Sequence, residues 1–191
     1  MSESINILDN LLSSMPYNIY LSSFVVSIVT CNYNLLYFTL YIILFGDGLN
    51  ALTKQILKKS KLIPDNFGLR PSGCGGNKIK NMCRGCGIYP KYSDSTGSRT
   101  FGFPSGHAQI TSLAASFWII YIIKKNKHKI THKHYISIIL ILCIFVLVCR
   151  QRLKSKCHNL FQIIGGTIYG TILGIAGYYL CNKISPETYP L

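Results

Sequence analysis

From Asn10 to Gly46 the chain runs 37 residues without a charged side chain. A soluble surface cannot be built from such a stretch, because its solvent face would carry no ionic groups; it belongs in a bilayer. One membrane helix takes roughly 20 residues, so the run suits two short helices and a tight turn. The polar string T-C-N-Y-N at Thr30–Asn34 supplies that turn, which predicts helices over about Tyr17–Thr30 and Tyr33–Leu52. Three more uncharged runs follow, at Ala108–Ile123, Tyr135–Cys149 and Asn159–Asn182. They predict a third helix from His107 to Lys124–Lys125, a fourth over about Tyr135–Cys149 and a fifth over about Leu160–Cys181. The glycines of I-I-G-G-T-I-Y-G-T-I-L-G-I-A-G in the last suit close helix packing in lipid. The expected fold is an all-α polytopic bundle of about five transmembrane helices, forming a single membrane-embedded domain over residues 1–191, with an N-terminal tail to about residue 16. A cleavable signal peptide is not expected: the first residues are acidic and no small-residue cleavage site follows the apolar stretch.

Twenty Lys and Arg stand against six acids, for a net charge of +14. In a nucleic-acid binder those cations would share one soluble face; here they form collars between apolar runs, so the expected partner is the bilayer and not nucleic acid. The acids are Glu3, Asp9, Asp47, Asp65, Asp94 and Glu187, leaving Ser95–Pro186 without a carboxylate. Paired-carboxylate chemistry and acid-ligated Mg²⁺ are thereby excluded from that region. Chemistry there must run on His, Lys, Arg, Ser and backbone dipoles.

The longest polar segment, Lys54–Phe103, reads as one irregular loop whose end leads into the third helix as S-R-T-F-G-F-P-S-G-H-A-Q. A helix start beside Gly106 offers unpaired N–H groups to an anion, with His107 at the membrane surface; the plainer reading makes Ser105 only a cap. A second cationic stretch, C-R-Q-R-L-K-S-K-C-H at Cys149–His158, precedes the fifth helix. It could simply hold lipid headgroups. Helices three and five both begin at a histidine with two spans between them, however, so His107 and His158 emerge on the same side, together with Lys54 and Arg152.

These residues resemble the phosphatidic acid phosphatase type 2 superfamily of membrane lipid phosphatases, whose pattern is K-x6-R-P, P-S-G-H, then S-R-x5-H-x3-D. Pro104-Ser105-Gly106-His107 matches the middle motif, Arg70-Pro71 the end of the first, and Arg152 with His158 the third. The sequence departs from the pattern in three places. Ile63 stands where the first Lys should be, and of Lys61 and Lys54 the latter is preferred, because Leu49-Asn50-x3-Lys54 resembles the family's helix-borne Asn and Lys; Gln151 replaces the Ser, and Gln162 the Asp. Gln162 together with His107-Ala108-Gln109 is similar to the dolichyl diphosphate phosphatases.

The resemblance implies an integral membrane phosphatase hydrolysing lipid phosphate or polyprenyl diphosphate monoesters. His158 would be the nucleophile that becomes a phosphohistidine, His107 the acid and base, and Gln162 the group orienting His158. Lys54, Arg70, Arg152, Ser105 and Gly106 would hold the phosphate, with no cofactor and no metal. The alternative it leaves is a catalytically degenerate lipid-binding or scaffold protein of the same fold. Cys74, Cys83 and Cys86 form C-x8-C-x2-C, which fits the start of a zinc site, a disulfide or free thiols. No fourth ligand stands nearby, so no metal is assigned. Cys31, Cys143, Cys149 and Cys181 read as small core residues. The loop Lys124–His134 carries five Lys, which places it in the cytosol by the positive-inside tendency and the active face on the lumenal or extracytoplasmic side.

Overall fold

In the computed structural model, which describes residues 7–31, 33–71 and 101–184, every charge-free run is helical. The first is broken at Ser14, where α1 (Ile7–Ser13) meets α2 (Met15–Val29) at a 69° bend. Pro16 has no N–H to give an earlier turn, so it starts α2 and cannot continue α1. The expected N-terminal tail to residue 16 is therefore helical from Ile7. The hairpin turn falls at Thr30 and Cys31, the latter in the left-handed region at φ 49°.

The next span is continuous from Leu35 to Ser60, 26 residues. It comprises α3 (Tyr33–Tyr41), a wide π-turn (Ile42–Gly48) and α4 (Leu49–Ser60). It runs past the expected end at Leu52, so Lys54 sits on a helix and not in the loop. After it come the short α5 (Asp65–Gly68), α6 (Gly106–Lys125), α7 (His132–Lys154) and α8 (Leu160–Ile184). α7 exceeds the expected Tyr135–Cys149 at both ends, and each extension has a cause. The Thr131 N–H donates to His134 Nδ1 at 3.0 Å, capping an earlier start. At the other end Gln151 and Arg152 are buried, so charge does not stop the helix.

By length and composition four helices can cross a bilayer, and the bent α1–α2 pair is a fifth candidate. The chain is an all-helical multi-pass bundle; among the described residues the only β pairing is an isolated Leu69–Phe101 bridge. α6 is its axis. It packs most closely on α8, where Gly166, Gly170 and Gly174 lie against the Ser105, Gln109 and Leu113 carbonyls. Ser112 and Ser116 hydroxyls donate across to the Thr167 and Thr171 carbonyls at 3.2 and 3.4 Å. In lipid, where apolar burial no longer drives association, such close backbone approach and polar cross-links are what hold helices together. Phe38, Phe117, Trp118 and Tyr178 fill the end of the bundle away from His107 with edge-on ring contacts.

Candidate active site

Each histidine singled out in the sequence stands at the start of a helix and is buried. His107 opens α6 behind Ser105, which takes the N-cap position with extended backbone (ψ 116°) and accepts weakly from the Ala108 N–H at 3.5 Å. His158 precedes α8, whose start is capped by Asn159 Oδ1 accepting the Gln162 N–H at 2.9 Å. The Ser105 N–H donates to the Gln162 carbonyl at 2.9 Å, so the two helix starts are tied directly together.

The first-motif segment is laced to the same place. Gly102 N–H donates to the Gly68 carbonyl at 2.7 Å beside the Leu69–Phe101 bridge. A Cβ on Gly102 would stand 2.6 Å from Gln162 Oε1 and 2.8 Å from Arg70 Cγ, so only glycine fits between these two side chains. Arg70, Lys54 and His107 all act electrostatically on His158, and Arg152, Lys54 and Arg70 on His107. Lys54, Arg70, Arg152, Ser105, Gly106, His107, His158 and Gln162 thus converge at one end of the bundle. Lys61, the other candidate for the missing motif Lys, ends α4 exposed in a left-handed conformation.

Gln162 has both ends of its amide committed. Its Nε2 donates to the Phe67 and Leu69 carbonyls at 2.9 and 2.8 Å, and its Oε1 lies 2.9 Å from His158 Nδ1. Because the NH₂ is spent on carbonyls, the oxygen must face the histidine, and it accepts from Nδ1–H. His158 is held as the tautomer whose Nε2 lone pair is free. Burial, and next the Arg70 charge, hold its imidazole well below the ordinary histidine range, with Lys54 and His107 acting the same way against the Gln162 bond. A neutral ring with a bare Nε2 is a nucleophile at neutral pH.

The second departure from the motif also has a partner: Arg152, fully buried, donates from Nε to Gln151 Oε1 at 2.6 Å. Beneath the P-S-G-H turn, Asn50 Nδ2 donates to Gln109 Oε1 at 2.6 Å and lies 3.4 Å from the Pro104 carbonyl. Gln109 Nε2 in turn donates to the Gly46 carbonyl at 3.0 Å. Three of these supports have local sequence signals: a helix-capping Asn159, a glycine at 102, and an amide at 109 in a charge-free span. A fourth has none, for it is the Ser13 main-chain oxygen, 2.8 Å from His107 Nε2.

Among the described residues no cluster of three His, Cys, Asp or Glu is placed to hold a metal. Cys74, Cys83 and Cys86 lie outside the described residues. Cys157, beside His158, is disulfide-bonded, whereas Cys31, Cys143 and Cys149 are free thiols.

Compared with known proteins, residues 70–186 match a family model described as the PAP2 superfamily. No curated protein and no solved structure matches the chain.

Proposed function

The chain belongs to the PAP2 superfamily, a family of phosphatases, and from that membership we propose that it is a membrane lipid phosphatase working through a phosphohistidine on His158 without a metal ion. The observation that carries the reading is the doubly committed Gln162 amide, which leaves His158 Nε2 unprotonated and aimed away from its support. Nε2 attacks phosphorus, the bond from phosphorus to the lipid oxygen breaks, and His107 gives that oxygen a proton. His107 then takes a proton from water as its oxygen attacks phosphorus, and the P–N electron pair returns to His158. Lys54, Arg70 and Arg152, with the Ser105 hydroxyl and Gly106 N–H, hold the equatorial oxygens as charge spreads over them. A carboxylate-free site suits this, since an acid there would repel the phosphate.

The substrate class is a lipid phosphate or a polyprenyl diphosphate, the second favoured by the joint occurrence of Gln109 and Gln162, in which the sequence resembles the dolichyl diphosphate phosphatases. The site faces the lumen or the cell exterior: the five-lysine loop after α6 lies at the opposite end of that helix, and the disulfide at Cys157 belongs to an oxidising compartment. The test is phosphate release in detergent and chelator from phosphatidate, lysophosphatidate and polyprenyl diphosphates. Activity lost in His158→Ala, with an acid-labile phosphoenzyme trapped only in the wild type, is the expected result. A folded wild-type protein inert on all three classes overturns the proposal.

A further inference from the structure

We propose that the N-terminal helix α1, which lies outside the segment matched by the family model, is a positioning element of this site. Through the Ser13 carbonyl it fixes the His107 ring and assigns Nδ1 as the nitrogen that exchanges the catalytic proton. The inference rests on the phosphatase reading for its catalytic consequence, but its geometry stands apart from it.

A carbonyl oxygen can only accept, so at 2.8 Å from Ser13 O the Nε2 of His107 carries a hydrogen in both the neutral and the charged ring. The proton that comes and goes is then the one on Nδ1. His158 is the mirror case: there Nδ1 carries the fixed hydrogen, because it faces the Gln162 oxygen, and Nε2 is the reactive atom. Each histidine has one nitrogen bound to an acceptor and one left for phosphate chemistry.

The carbonyl is delivered by a built support. Ser13 and Leu12 are buried, and the Ser13 hydroxyl donates back to the Asn10 carbonyl at 2.8 Å. Leu8, Asp9 and Leu12 face Leu147, Arg150 and Gln151 of α7 across a shared cavity, and Asp9 pairs with Lys154 at 2.9 Å. Gln151 is also the residue that holds Arg152, so α1 abuts the supports of two site residues at once. Its outer side carries Ile7, 83% exposed, with Leu11, an apolar edge suited to the bilayer interface.

The experiment replaces one peptide bond by an ester in the full-length chain. An α-hydroxy acid at position 14 turns the Ser13 carbonyl into a weaker acceptor and removes the Ser14 N–H; the control ester at position 13 costs the helix a similar bond but leaves the Ser13 amide carbonyl intact. Two substrates are compared: dodecyl phosphate, whose alcohol must be protonated on leaving, and para-nitrophenyl phosphate, whose phenolate need not be. The position-14 ester is expected to lower kcat/KM on dodecyl phosphate, which reports the step where the alcohol leaves, by about ten- to a hundredfold, part of what a general acid contributes, with little change in kcat/KM on the nitrophenyl ester and little effect of the control. Equal losses of kcat/KM on both substrates, or equal effects of the two esters, overturn the inference. A second readout needs no turnover: in histidine-¹⁵N-labelled protein, His107, assigned by its absence in His107→Gln, is expected to keep a hydrogen on Nε2 at every pH, with only Nδ1 changing protonation. An Nδ1–H tautomer overturns the inference, whereas a wild type inert on every substrate overturns only the phosphatase reading.

Discussion

Replacing Gln162 by Glu separates two accounts of the missing carboxylate. If Gln162 is a weakened substitute for the family's acid, restoring the charge behind His158 should raise activity, since in hydrolases that orient histidine with aspartate the amide variant loses about ten-thousandfold by presenting the wrong tautomer. The geometry gives the opposite expectation. That loss arises when an amide can turn its NH₂ toward the ring, and here the NH₂ is fixed by the Phe67 and Leu69 carbonyls at 2.9 and 2.8 Å. A carboxylate of the same length keeps the bond to His158 but turns its second oxygen on those two carbonyls. The Leu69 carbonyl loses its donor, at about 1–3 kcal/mol, and the Phe67 carbonyl is left with only Asn159 Nδ2 at 3.3 Å while it faces the new charge. A total near 3 kcal/mol, spent in moving the 67–70 segment and Arg70 off the site, corresponds to about a hundredfold in kcat/KM. A protonated carboxyl could satisfy only one of the two carbonyls, and it would no longer supply charge. The assay is phosphate release by Gln162→Glu, Gln162→Asp and Gln162→Ala, with thermal midpoints in detergent measured alongside. Glu is expected to fall well below wild type and Asp, one methylene shorter, lower still. A Glu variant as active as wild type, with an unchanged midpoint, would refute the bracket account of Gln162.

Arg70→Gln tests the electrostatics of the nucleophile. Arg70 helps to hold His158 below its ordinary range, so its removal should move the acid limb of kcat/KM upward toward 6.5, read from a pH profile beside wild type. The same lowering sets the stability window. Between 6.5 and the depressed folded value the unfolded chain binds more protons than the native one, so His158 costs stability as pH falls through that window and costs nothing above it; Arg70→Gln should reduce the acid-side loss. Gly170→Ala tests the helix interface: the added Cβ meets the Gln109 carbonyl and Ser112 hydroxyl. The expected cost is about 1–3 kcal/mol, seen as a lowered thermal midpoint with both substrates affected alike.

The bundle was legible because its signal is a property of long windows. A 37-residue absence of charge has few folded solutions, and the helix starts at His107 and His158 followed from where charge resumed. Helix ends were less legible where a charged side chain is buried: Arg152 reads as a loop residue by composition but is enclosed in the site, so α7 continues past it. The α1–α2 break was missed because Ser14 and Pro16 interrupt a run that is uniformly uncharged. At the site, the motif residues were visible by type and order, whereas their supports were not. A sequence can show that Gln162 occupies an acid's position, but not that two carbonyls from a segment some ninety residues earlier consume its donors. Main-chain partners such as Ser13 O carry no residue signature.

The π-turn gives a physical reason for the H-x-Q spacing at His107 and Gln109. A helix that widens over Ile42–Gly48 shifts the register of everything after it and leaves carbonyls without their usual i+4 donors. In a bilayer no water is available to strengthen such bonds, so a side-chain donor counts there. Gln109 supplies one: its NH₂ donates at 3.0 Å to the Gly46 carbonyl, which also takes the Leu49 N–H, and its oxygen accepts from Asn50 at 2.6 Å. Asn50 sits under the glycine of P-S-G-H, with its Oδ1 3.2 Å from where a Gly106 Cβ would be. The chain therefore runs from the widened turn through Gln109 and Asn50 to the floor of the phosphate loop, while the same register shift sets the α4 position that carries Lys54. A Gln two residues beyond His107 is thus a strut joining two spans, fully buried and facing away from any lipid headgroup. It can bear on substrate choice only through the position of Lys54 and the P-S-G-H turn.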